Sequence, residues 1–123
     1  MELDRWAVLM LVASYEATLR TDMQARIGAR TRDVVRRRLR DLDVEHEGRV
    51  RLDGILGLWE EHARVLPLVK QNLRRLLKHR HWLAHGRHWT NKHGTMPSPL
   101  DAHAYLDDHI QALCASVPDF PRN

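Results

Sequence analysis

Apolar residues recur along this chain at three- and four-residue intervals, and nowhere do they alternate over the length of a strand. The pattern predicts helices. The first runs from Glu2 to Leu19 and is apolar almost all round between Trp6 and Ala13, as expected of a helix covered on more than one side. In so small a protein, part of that cover would come from a second subunit. Thr21 and Asp22 are candidate N-caps for a second helix reaching about Leu42, with Met23, Ile27, Val34, Val35, Leu39 and Leu42 at helical spacing. Gly28 falls inside it, where glycine is unfavourable. Asp43 to Gly54 is a polar break. Ile55 to Leu66 is a third helix with Leu56, Trp59, Ala63 and Leu66 on one face, and Pro67 either starts the next helix or kinks this one. Leu68 to Ala84 is the central helix, with Gly86 as its C-terminal stop and a basic loop beyond it from His88 to Pro97. Ser98-Pro99-Leu100-Asp101 combines an N-cap serine, a proline at the first helical position and an acid three residues after the cap. That last helix runs to about Ser116, and a tail begins at about residue 117. The expected fold is an all-α bundle of four to five helices forming one domain over residues 1–123.

Length and composition agree with that reading. A chain of 123 residues suffices for one domain with a modest core. A single cysteine, Cys114, excludes an internal disulfide framework and fits a reducing cytosol. Its apolar neighbours in the last helix predict a packed small residue rather than a nucleophile. The apolar stretch Trp6 to Ala13 is far shorter than the roughly 20 residues a membrane span needs. Glu2 and Asp4 oppose the basic start of a signal peptide. The expected location is cytoplasmic, away from membranes.

Charge narrows the class of partner. The net charge is +4, and much of the excess lies between Arg20 and Arg51, in Arg26, Arg30, Arg32, Arg36, Arg37, Arg38 and Arg40. The planar fork of arginine suits phosphate oxygens and stacks on bases. Arg36, Arg37 and Arg40 are therefore candidate RNA-binding residues; the plainer alternative is a solvated helix face.

The chemistry concentrates near position 80, in Lys78-His79-Arg80-His81-Trp82-Leu83-Ala84-His85-Gly86-Arg87-His88-Trp89. On an ideal helix Val69, Leu73, Leu76, Leu77, Leu83 and Ala84 share a stripe about 120° wide, with Arg80 near its middle. A guanidinium in that position costs free energy unless it is paired or does chemistry. Histidine is the side chain best suited to move protons near neutral pH. Arg80 and His85 lie about 140° apart around the axis, yet arginine is long and His85 stands where the helix ends, so both head groups could reach one cleft. The simpler alternatives are an Arg80 paired with Glu60 or Glu61, and a His85 that satisfies the last helical carbonyls.

The segment Arg80-His81-Trp82-Leu83-Ala84-His85-Gly86 resembles the signature of HEPN domains, small helical bundles common in prokaryotic defence and toxin–antitoxin systems. Arg80 matches the family's arginine, His81 the polar residue after it and His85 the histidine. The resemblance implies a HEPN-like dimer acting as a metal-independent endoribonuclease without a cofactor, its two motifs facing each other across a two-fold axis. On that reading His85 is the acid/base, Arg80 the phosphate clamp and His81 a supporting polar group, with Arg87 and His88 joining the RNA-binding residues. A cognate antitoxin protein is an implied partner. The tyrosine that usually comes two positions after the family histidine in toxins paired with nucleotidyltransferase antitoxins is here Arg87, which argues against control by modification at that spot.

Two other readings compete. His79, His81, His85, His88 and His93 crowd into fifteen residues, and the i, i+4 pair His81/His85 is a possible metal chelate, although neither a carboxylate nor a cysteine lies close in sequence. A non-catalytic helical module that binds RNA or a partner protein would use the arginine-rich helix, with Trp82 and Trp89 available for stacking on bases. The chain carries no phosphate-cradling glycine loop, serine-nucleophile motif or dinucleotide fingerprint.

Overall fold

The computed structural model describes residues 2–29, 31–84 and 97–123, and the side chains of all of these except 2 and 82–84. Among the described residues there are five helices and no strand: α1 (Glu2–Gly28), α2 (Val34–Glu45), α3 (Leu52–His62), α4 (Pro67–Ala84) and α5 (Pro99–Ser116). None of the five is long and apolar enough to cross a membrane. Their contacts gather into two compact units, Met1–Tyr15 with Val65–Gln111, and Glu16–Arg64 with Ala112–Asn123.

The break expected at Thr21 and Asp22 is absent, and α1 continues through both. Asp22 does not cap. It is fully buried, and both of its carboxylate oxygens accept from the Nε of Arg26 one turn on, at 2.9 and 3.0 Å. The helix ends at Gly28, and Asp33 caps α2. Asp33 has extended backbone and its carboxylate accepts from the Arg36 amide at 2.6 Å, while the Thr31 hydroxyl donates to its other oxygen at 2.9 Å.

The Arg36 amide holds the Asp33 carboxyl below its ordinary value. The folded state therefore keeps this charge to lower pH than the unfolded chain does. Its stabilisation is complete above the ordinary carboxylate value and disappears as pH falls through the depressed one. Asp33→Ala is expected to cost about 1 kcal/mol near neutrality. The gap in melting temperature between parent and variant should close between about pH 5 and pH 2. A gap that is constant over this range would show that the carboxylate contributes nothing through its charge.

The second unit is built from the later part of α1, α2, α3 and the end of the chain. It buries Leu19, Met23, Leu39, Val50, Ile55, Trp59, Leu113 and Phe120. The polar break after α2 is shorter than expected. The chain turns through Glu47 and Gly48, both at positive φ (53° and 77°), with the Gly48 amide donating to the Asp43 carbonyl at 2.9 Å, and α3 then begins at Leu52. α2 packs against α3. Arg38 of α2 donates to Glu61 of α3 at 3.0 Å, so one of the two acids considered as a partner for Arg80 is engaged here.

A polar knot closes this unit. Arg26, itself almost wholly buried, stacks its guanidinium over the Trp59 ring at 5.3 Å and donates from Nη2 to the Pro118 carbonyl at 3.0 Å. Asp22 also accepts from the Arg122 amide at 2.8 Å. Phe120 meets Trp59 edge-on, with the ring centroids 5.9 Å apart. Burial pushes the Asp22 carboxyl up, and the Arg122 amide and the Arg26 guanidinium pull against it.

The first unit is built from the start of α1, α4 and most of α5. It buries Val8, Val12 and Tyr15 from α1, Leu73, Leu76 and His79 from α4, and Ala102, Leu106 and His109 from α5. The Tyr15 hydroxyl lies 2.7 Å from Nδ1 of His109, and burial pushes that hydroxyl well above its ordinary range. Pro67 starts α4, one of the two roles the sequence leaves open to it, and Ser98 caps α5 as the sequence predicts, its Oγ accepting from the Asp101 amide at 3.1 Å. The expectation that the first helix is covered on more than one side is met on one side only. Val8 and Val12 are buried, whereas Leu3, Trp6 and Met10 are 79%, 64% and 70% exposed.

Candidate functional site

α4 carries the described part of the motif. Its apolar positions keep to a helical stripe, and Leu73 and Leu76 are buried. One turn beyond Leu76, positions 79 and 80 compete for the next place on that stripe. His79 takes it and is fully buried. Arg80, beside it, is half-buried. The guanidinium read as lying mid-stripe thus sits at the margin of the core, as a long side chain with a charged end tends to do. His81 comes next, on the exposed side. Arg80 and His81 therefore occupy the final turn of α4 as neighbours, one drawn towards the core and one open to solvent.

The remaining residues of the expected site divide. His85, Arg87 and His88 lie outside the described residues, as do Gly86, the expected helix stop, and Trp89 and His93. Arg36, Arg37 and Arg40 belong to α2 and to the second unit. Arg36 is half-buried and spends its donors on main-chain carbonyls, Nε to Ile27 at 3.2 Å and Nη1 to Thr31 at 3.4 Å, which ties the α1–α2 connection. Arg37 and Arg40 are exposed, and Arg38 is committed to Glu61.

Among the described residues, no three His, Cys, Asp or Glu side chains come together in a way that could hold a metal ion. Cys114, expected to be packed, is exposed: it sits on the outer side of α5, between buried Leu113 and the tail, so apolar neighbours in sequence did not mean apolar neighbours in space.

The first unit also holds a feature that the periodicity of the chain does not predict. An open groove of about 290 Å³ runs along α4, lined by Gln71, Arg74, Arg75 and Lys78. Its edge is held by α5, where the Tyr105 hydroxyl accepts from Nη2 of Arg75 at 3.3 Å and the Tyr105 ring lies 5.9 Å from that guanidinium carbon. The signal was present in the sequence, because α4 contains five lysines and arginines and no carboxylate. The arginine run of α2 is more conspicuous, but it is followed in the same helix by Asp41, Asp43 and Glu45. Compared with known proteins, the chain matches no family model, no curated protein and no solved structure.

Proposed function

We propose that this protein is a HEPN-type, metal-independent endoribonuclease that works as a dimer, in the setting of a toxin–antitoxin or antiviral system in the cytoplasm, restrained by a cognate antitoxin. The observation that carries the reading is the last turn of α4, where Arg80 stands half-buried at the end of a helix free of carboxylates, with His81 beside it and His85 next in line after Ala84. Cleavage requires the 2′-hydroxyl to attack phosphorus while the 5′-oxygen departs. His85 takes the 2′-proton and a proton is returned to the leaving oxygen. Arg80 neutralises the charge gathering on the non-bridging oxygens, and His81 supports it. Five helices suit the proposed bundle, and the exposed Leu3, Trp6 and Met10 form a face that a second copy would cover. Exposed Arg37 and Arg40 of α2 are further RNA-binding residues, as are Arg87 and His88.

The test is incubation of the protein and of His85→Ala with end-labelled RNA in EDTA. Parent-only cleavage that leaves a 2′,3′-cyclic phosphate and a 5′-hydroxyl is the expected result. Equal cleavage by both proteins, or cleavage that EDTA abolishes and zinc restores, would discard the mechanism. A second reading, a non-catalytic RNA-binding module, is favoured by the same cationic helix and is distinguished by binding without any new ends.

A further inference from the structure

α4 is the one described helix without a carboxylate, and its cations are ordered. Lys70, Arg74, Lys78 and His81 succeed one another at intervals of four, four and three residues, so they share one face. Arg74, Lys78 and His81 are exposed and Lys70 is half-exposed. Successive members stand about 4.5–6 Å apart along the axis, and the row extends for roughly 16 Å. Gln71 and Arg75 flank it and complete the groove. Arg75 is not loose: Tyr105 holds its guanidinium by hydroxyl and ring, so part of the ordering cost of binding is already met. The opposite face of the helix, with Leu73, Leu76 and His79, is buried. Leu73 and Leu76 are therefore not available beside the cations to insert into a lipid surface.

We infer that this face of α4 is a rail for the phosphodiester backbone of single-stranded nucleic acid, leading a strand along Lys70, Arg74 and Lys78 towards the motif turn. A polymer bearing one negative charge per residue suits a row of evenly spaced cations in an open groove. Arginine accepts phosphate oxygens with its planar fork and lysine as a point charge. The inference deepens the ribonuclease reading by naming the surface that holds the substrate strand. It is read by binding rather than cleavage, so the two fail separately.

The experiment uses the full chain and two labelled strands that cannot be cut through a 2′-hydroxyl, oligodeoxythymidylate and 2′-O-methyl oligouridylate. Binding is monitored by fluorescence anisotropy across a salt series. Arg74→Gln/Lys78→Gln is expected to weaken binding on the order of tenfold and to shrink the slope of log K against log salt by about 1.4, the share of two single-strand phosphate contacts. The charge-retaining Arg74→Lys/Lys78→Arg should keep the parent slope. So should Arg49→Gln/Arg51→Gln, which removes the same charge from exposed positions outside α4. Glutamine suits an exposed helix position, and matching thermal melts would show that each variant folds. Equal losses for the two glutamine pairs would overturn the rail in favour of net charge alone. Absence of salt-dependent binding by the parent would also overturn it. So would tighter binding of the parent to phosphatidylserine vesicles or polyglutamate than to either strand. Rail-dependent binding without cleavage of native RNA would leave the rail standing and remove the nuclease.

Discussion

Asp22→Ala is expected to cost about 3–5 kcal/mol of stability and to lower the melting temperature by roughly 10–20 °C. Asp22 is fully buried, and its carboxylate faces the side chain of Arg26 and the main-chain amide of Arg122. Removing it leaves a nearly buried guanidinium without its counter-charge and a tail amide without its acceptor. The stacking of Arg26 on Trp59 and its bond to the Pro118 carbonyl do not offset that loss, because both need the guanidinium to stay where its charge is least solvated. Asp22→Asn keeps an acceptor for the Arg122 amide and should fall between parent and Asp22→Ala. The double variant Asp22→Leu/Arg26→Met removes both charges at once and should recover most of the loss. Urea unfolding monitored by circular dichroism measures all three. A cost below about 1 kcal/mol for Asp22→Ala would mean that the knot is an ornament of the fold rather than its fastening.

Arg80→Ala is expected to slow RNA cleavage by about 10²–10³-fold under single-turnover conditions, the scale on which one preorganised donor to a developing oxyanion acts. Arg80→Lys should recover little, because an ammonium cannot present two parallel donors to a phosphate. The thermal melt is the companion measurement. Arg80 is half-buried at the margin of the core, so its truncation should shift the melt far less than Asp22→Ala does. A variant that loses cleavage while melting like the parent identifies a group that acts on the phosphate. Cleavage that declines only in step with stability would assign Arg80 to packing, and the phosphate clamp would have to be sought elsewhere.

The helix count and two of the starts were legible because strong local chemistry decides them. Pro67 and Ser98 act through their own backbone and hydroxyl, and nothing distant competes. Thr21 and Asp22 misled for the opposite reason. An aspartate preceding an apolar run reads as a cap, but the i, i+4 partner Arg26 and the tail amide of Arg122, a hundred residues on, make it an interior residue of α1. No pattern local to residue 22 contains that second partner. The motif turn was partly legible. The mid-stripe place of Arg80 comes from periodicity, but which of two adjacent residues fills the core depends on length and charge, and the short imidazole side chain of His79 enters more readily than a permanently charged guanidinium on a long stem. The groove on α4 was missed because the density of arginine is greatest on α2. Absence of acids, which lets a potential accumulate, is the quieter signal. Cys114 illustrates the limit of local hydrophobicity, since facing is set by the angle around the helix.

Each of the two units is assembled from two separate stretches of the chain: the first from residues 1–15 and 65–111, the second from residues 16–64 and 112–123. A growing polypeptide therefore cannot complete either unit from its leading segment alone. The second stays open until residues 112–123 have left the ribosome, with Arg26 still waiting for the carbonyl of Pro118. No single cut in the chain can therefore separate one unit from the other.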